Sequence, residues 1–217
     1  MTHTISAPIA VSAPARPATR FLLAGAIGAG PLFLSAGLVQ GLTREGFDFT
    51  RNALSQLSLG DLGWIQTVTF VLTGLLAIAG AVGIGQALRN APGGTWAPRL
   101  VGVFGASFLL AAVFPADPGA GFPAGTPEAP ATALSTHGAL HMLSAMVGFL
   151  ALCLAFLVLA RHFTAGGRRG WAIASRVVPI GVLAGFAASS AFVPAFTLGA
   201  ALGLLWLTAV TARLATA

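Results

Sequence analysis

Judged by its apolar and polar positions alone, the chain is a series of long apolar runs broken by short polar segments. The runs cover residues 21–42, 62–88, 96–114 and 137–160, and a further apolar stretch, charged only at Arg213 near its end, extends from 177 to 214. A helix that crosses a membrane takes about 20 apolar residues. The run at 62–88 is long enough to cross with a tilt. The run at 96–114 is the shortest, with Arg99 placed to snorkel at its start. The stretch 177–214, as one helix, would measure roughly 57 Å at 1.5 Å per residue, nearly double a hydrocarbon core. It therefore predicts two spans, 172–191 and 194–214, turning near residues 189–194. The pattern predicts an all-α polytopic membrane protein, a bundle of six transmembrane helices. A seventh helix would need another apolar segment, and none is left.

Composition agrees with that solvent. The chain of 217 residues is 56% hydrophobic and only 7% charged, whereas a soluble domain carries roughly 25% charged residues. It could not cover its own surface in water. The net charge of +6 raises the question of nucleic acid. We exclude nucleic acid, because the arginines border apolar spans, where they set orientation and meet anionic headgroups. Cys153 is the only cysteine and lies within a span, so no intramolecular disulfide forms.

Charge then orients the spans. All five acids, Glu45, Asp48, Asp61, Asp117 and Glu128, fall in the segments after the first and third spans. Arg44 and Arg51 share the first of these segments. Arg16, Arg20, Arg89, Arg99, Arg161, Arg168, Arg169, Arg176 and Arg213 fall at the opposite ends of the spans. The positive-inside rule makes this N-in/C-in in the cell membrane, with the acidic loops extracytoplasmic. Residues 1–20, rich in Pro, Ala, Ser and Thr, read as a disordered cytoplasmic tail. Residues 21–214 read as one membrane domain. The run after Arg20 is too long for a signal-peptide core, so it reads as an uncleaved first span.

Small residues predict where helices meet. Gly181 and Gly185, and Gly199 and Gly203, stand at four-residue spacing on the last two spans and are expected to face each other. Gln66, Thr69 and Thr73 form a polar stripe on span two, expected to bond between helices.

Two outer segments hold the candidate chemistry. Residues 50–60 read as a short helix capped by Thr50 and ended by Gly60. It would be either an amphipathic helix lying on the membrane or a lid presenting Arg51 and Ser55 to a pocket. In the second segment Ser135 or Thr136 caps span four, and His137 and His141 follow four residues apart. That spacing puts both imidazoles on one helix face, with Ser144 a turn deeper. Two imidazoles a turn apart can hold one metal ion, with zinc the obvious choice, and Asp117 would be a third ligand or would orient one ring. Metal binding, metal-free acid–base work and plain interfacial structure all stay open at this point. The candidate site residues are Arg51, Ser55, Asp117, His137 and His141.

The segments 51–60, R-N-A-L-S-Q-L-S-L-G, then Gly63-Trp64, then 114–118, F-P-A-D-P, and 138–141, G-A-L-H, occur in a telling order. With these motifs the chain resembles a bacterial membrane family known as domain of unknown function 998, over roughly residues 21–165. Members more often carry an acid where Gln56 stands. The resemblance implies six spans with these external motifs and implies no reaction. A more distant analogy is to ceramidase-like membrane hydrolases, which hold zinc with histidines near an Asp and a Ser. Those proteins have seven spans and three histidine ligands, whereas His3 and His162 here fall on the inner side.

Two functions follow. One is a polar extracytoplasmic site that binds a lipid, a lipidic small molecule or a partner. The other is a metal-dependent hydrolase processing lipid or prenyl substrates, in which bound water becomes the nucleophile and Arg51 binds an anionic headgroup or steadies an oxyanion. Ion-coupled transport fits poorly, since no acid is expected near a span midpoint.

Overall fold

The computed structural model describes residues 17–129 and 133–216. Its six helices are α1 Pro17–Thr43, α2 Gly63–Ala87, α3 Trp96–Val113, α4 Thr136–Ala165, α5 Arg169–Ala188 and α6 Val193–Ala215. A short 3₁₀ helix, Leu54–Ser58, sits between α1 and α2. All six long helices are long and apolar enough to cross a membrane. The fold is all-α, as the runs of apolar residues predict. Residues 1–16, most of the expected tail, lie outside the described residues, while 17–20 form the first turn of α1. Proline suits that place, because the first turn needs no intrahelical donor.

Each helix packs against its neighbours in sequence, and α6 returns to α1, so the six close into a ring. Proline helps to close it. Pro31 lies inside α1 and has no N–H to offer the carbonyl of Ile27, four residues earlier. The Thr208 hydroxyl of α6 donates to that carbonyl at 3.1 Å. A helix defect in α1 thus becomes a bond between the first and last helices.

The apolar stretch 177–214 is divided by residues 189–192, with Pro194 in the first turn of α6. Beside this turn Gly185 and Gly199 touch backbone to backbone. A Cβ on Gly185 would lie 2.9 Å from the Gly199 Cα and 2.5 Å from the Ala195 carbonyl oxygen. The other two glycines have other neighbours. Gly181 faces the Leu202 side chain, and Gly203 faces Leu152, Val182 and Phe149. In the polar stripe on α2, Gln66 bonds between helices, accepting from Gln40 Nε2 of α1 at 2.7 Å. Thr69 bonds its own helix at the Ile65 carbonyl, and the Thr73 hydroxyl has no partner among the described residues.

The alternation of helices sorts the charges to two ends. One end carries the α1–α2 loop, the α3–α4 loop and the α5–α6 turn, with Arg44, Arg51 and all five acids. The other carries Arg20, Arg89, Arg99, Arg161, Arg168, Arg169, Arg176 and Arg213, and no acid among the described residues. The two are called the loop end and the basic end below.

Candidate functional site

At the loop end the two long loops lock together as a lid. The α1–α2 loop turns sharply after Phe47, because the amides of Arg51 and Asn52 both donate to the Asp48 carbonyl, at 3.0 and 2.7 Å. Asn52 is buried. Its Oδ1 accepts from the Asp48 amide at 2.9 Å. Its Nδ2 donates to the carbonyls of Gly119 and Ala120, at 3.3 Å each. Gln56 does the same one turn on. Its Oε1 accepts from the Ala53 amide at 3.1 Å, and its Nε2 donates to the carbonyl of Asp117 at 3.2 Å. Arg44 pins the lid from below, donating to the carbonyls of Leu57 and Leu59 at 3.1 and 2.6 Å. Its guanidinium lies over the Phe122 ring, 5.3 Å from the centroid. Burial lowers the Arg44 pKa, and nearby Asp61 opposes that shift.

The lid differs from the expected helix over 50–60. Only residues 54–58 are helical, as one 3₁₀ turn. Thr50 does not cap it. Its amide and hydroxyl both bond Asp48 Oδ1, at 2.8 and 2.7 Å. The reason is that Asp48 and Asn52 spend their side chains on the preceding turn, so the chain leaves it extended at Ala53. Leu54 and Leu57 are buried, so the segment packs down on the bundle.

Asp117 and Gly138 join the second loop to α4. Asp117 Oδ2 accepts from the Ser135 amide at 2.8 Å and Oδ1 from the Ser135 hydroxyl at 2.5 Å. Ser135 caps α4, its Oγ accepting from the Gly138 amide at 3.0 Å. A Cβ on Gly138 would lie 2.0 Å from Asp117 Oδ2, so only glycine admits the carboxylate here.

His141 closes the end of α3. Pro115 follows the helix with no N–H to give, and the last carbonyls of a helix need donors from elsewhere. His141 Nδ1 lies 2.8 Å from the Phe114 carbonyl oxygen. A carbonyl only accepts, so Nδ1 carries the proton. In the neutral ring Nε2 is then an acceptor.

Beneath the lid is a cavity of about 180 Å³. Ala53, Leu54 and Ser55 roof it. Phe33, Phe70, Phe108 and Phe149 contribute aromatic walls, with Phe33 and Phe108 edge to face at 5.2 Å. His141, Met142 and Ala145 of α4 face Val193, Phe196, Thr197 and Ala200 of α6 across it, and Ser107, Ala111 and Ser189 complete most of the rest. A second, larger groove of about 580 Å³ runs along the outside of the bundle between α4 and α5. Met142, Ala145, Phe149, Ser189 and Phe196 line both, so cavity and groove adjoin.

The sequence candidates separate on this frame. His141 and Ser55 line the cavity. His137 does not; it is exposed and its ring packs edge-on against Phe114 at 5.7 Å. Arg51 does not line it either; it pairs with Asp48 at 3.2 Å and with Glu128. Glu128 raises the Arg51 pKa, and the Thr50 hydroxyl and amide hold the Asp48 carboxyl below its ordinary range. Asp117 is engaged by Ser135 rather than by a histidine ring. His137, His141 and Asp117 thus each have a different neighbour, and among the described residues no three His, Cys, Asp or Glu side chains group as a metal site would require. The sequence does not identify Asn52, Gln56 and Arg44 as clamps. Only the R-N-A-L-S-Q motif marked two of them, without indicating their partners.

A depressed carboxylate adds stability above its ordinary pKa, and that share is lost as pH falls through the depressed value. The Asp48 tie therefore holds throughout the neutral range. Asp48→Asn should leave the lid's pH response near neutrality unchanged and alter it only in strong acid, as read by proteolysis of the α1–α2 loop.

The architecture is that of a multi-pass membrane protein with a lidded cavity at one end of a six-helix ring. Residues 27–213 match the family model described as Protein of unknown function (DUF998), and the chain belongs to that family. No curated protein and no solved structure matches it.

Proposed function

We propose that the protein sits N-in/C-in in the cell membrane and binds the end of a lipid or lipid-like molecule in the cavity beneath an extracytoplasmic lid. One observation carries this reading: the cavity adjoins a groove on the lipid-facing side of α4 and α5. A ligand could pass between bilayer and cavity sideways without crossing water. Met142 and Met146 border the groove and are about half exposed. Their flexible thioethers suit an adaptable apolar wall.

The orientation rests on charge. Eight arginines of the described basic end face no acid there, and cytoplasmic ends are the arginine-rich ones. Reporter fusions at Arg44 and Glu128 should read outside, and those at Asn90 and Gly167 inside. A C-terminal reporter outside would overturn the arrangement.

For binding, the purified protein in detergent should retain a lipid from a membrane extract, seen by native mass spectrometry. Ala145 lines both cavity and groove, so Ala145→Trp should abolish retention while the protein still folds. Retention undiminished in that variant, or absent from the parent chain, would sink the proposal.

The hydrolase reading draws on Ser55 and His141 lining the same cavity. It expects the bound lipid to be recovered cleaved rather than intact. Its metal-dependent form expects about one zinc per chain, released in mild acid as the imidazoles protonate.

A further inference from the structure

We infer that the ligand is an uncharged single-chain lipid alcohol, its hydroxyl donating to His141 Nε2 and its chain leaving through the groove between α4 and α5. This rests on the lipid-binding reading above and specifies its ligand. Charge supports the choice. The chain has no lysine, and among the described residues no arginine or acid lines the cavity. The two arginines at that end are committed elsewhere, Arg44 to the carbonyls of Leu57 and Leu59 and Arg51 to Asp48 and Glu128. A phosphate or carboxylate in the cavity would lose its water without gaining a counter-ion, which is strongly unfavourable. An ammonium would likewise find no acid.

Hydrogen bonding narrows the class further. Nδ1 of His141 is held by the Phe114 carbonyl, which leaves Nε2 of this cavity-lining neutral ring as its acceptor. An acceptor in an apolar wall calls for a donor on the ligand, and a hydroxyl is the smallest uncharged donor that the end of a lipid chain carries. Ser55 lines the roof of the same cavity, and no hydrogen bond engages its hydroxyl among the described residues, which leaves it for the ligand.

Size sets the shape. Pockets that enclose a drug-sized ligand hold about 300–1,000 Å³, and this cavity holds about 180 Å³. It takes the hydroxyl end and the first few carbons. The rest of the chain lies in the adjoining groove of about 580 Å³, against Leu143, Met146, Leu150 and Leu183.

The test uses the full chain in lipid nanodiscs and a long-chain alcohol carrying a photoreactive diazirine near its hydroxyl. Crosslinks should map to α4 and α6 around Met142 and Phe196. Unlabelled 1-hexadecanol should compete at least tenfold better than hexadecyl phosphate or hexadecyl methyl ether. His141→Leu should erase the preference of alcohol over ether while crosslinking persists. Ser55→Ala, which breaks no bond of the lid, should reduce the preference and provides the readout if His141→Leu fails to fold. Phosphate competing as well as the alcohol, or ether competing as well, would overturn the ligand class while leaving lipid binding intact. No cavity crosslink from this probe or from a diazirine hydrocarbon would instead remove the lipid-binding reading itself.

Discussion

Gly138→Ala is expected to unfasten the lid and lower stability by about 3 kcal/mol, combining overpacking with weakened charge-assisted hydrogen bonds. The new methyl would stand 2.0 Å from Asp117 Oδ2 and 2.4 Å from its Cγ. The carboxylate must withdraw, and with it go the two bonds from Ser135. The same displacement pulls on the Asp117 carbonyl that Gln56 holds. Thermal unfolding in detergent should therefore shift down. A cysteine at Leu54, in a Cys153→Ala background, should react faster with maleimide. Asp117→Ala removes the obstruction, so the double variant should be no less stable than Asp117→Ala alone, a non-additivity expected of groups in contact. Stability unchanged in Gly138→Ala would mean that the carboxylate lies elsewhere.

The second large effect is expected from Gly185→Leu. The α5 and α6 backbones touch there, and a Cβ would meet the Ala195 carbonyl oxygen at 2.5 Å. The helices must separate, at a cost of roughly 1–3 kcal/mol for overpacking. Phe186 and Ser189 beside this contact border the groove and Phe196 borders the cavity as well, so lipid retention should fall with stability. Gly28→Ala is the control. Nothing lies within 4 Å of a Cβ at Gly28, and replacing an unneeded helix glycine can add up to about 1 kcal/mol. A Gly185→Leu variant melting with the parent chain would place this face against lipid instead of against α6.

The candidate site was legible in part. His141 and Ser55, singled out by residue type, do reach one cavity, although one comes from α4 and the other from the α1–α2 loop. The i, i+4 spacing put His137 beside His141, and helical geometry does bring their Cα–Cβ directions together. Which of the two is buried depends on where α3 ends. Phe114 packs against His137 on the outside and offers its carbonyl to His141 within. Arg51 looked free for a ligand because its acidic partner Glu128 lies 77 residues away. Asn52 and Gln56 stand in the family motif, but an amide side chain reveals nothing of its partner until two loops meet.

By itself the sequence determined the solvent, the number of helices and the sorting of charge to two ends. These depend on local sums, since a run of apolar residues prefers lipid whatever it later touches. It also determined that 177–214 is two helices, because length alone forbids one. The tertiary structure alone decided that the family motifs interlock as a lid, with Gly138 making room for Asp117 and Asn52 spanning two loops. It alone decided that His141 lines a cavity while Arg51 does not. Those outcomes depend on distances between residues far apart in the chain, which the closing of the ring of helices establishes and which no local pattern encodes.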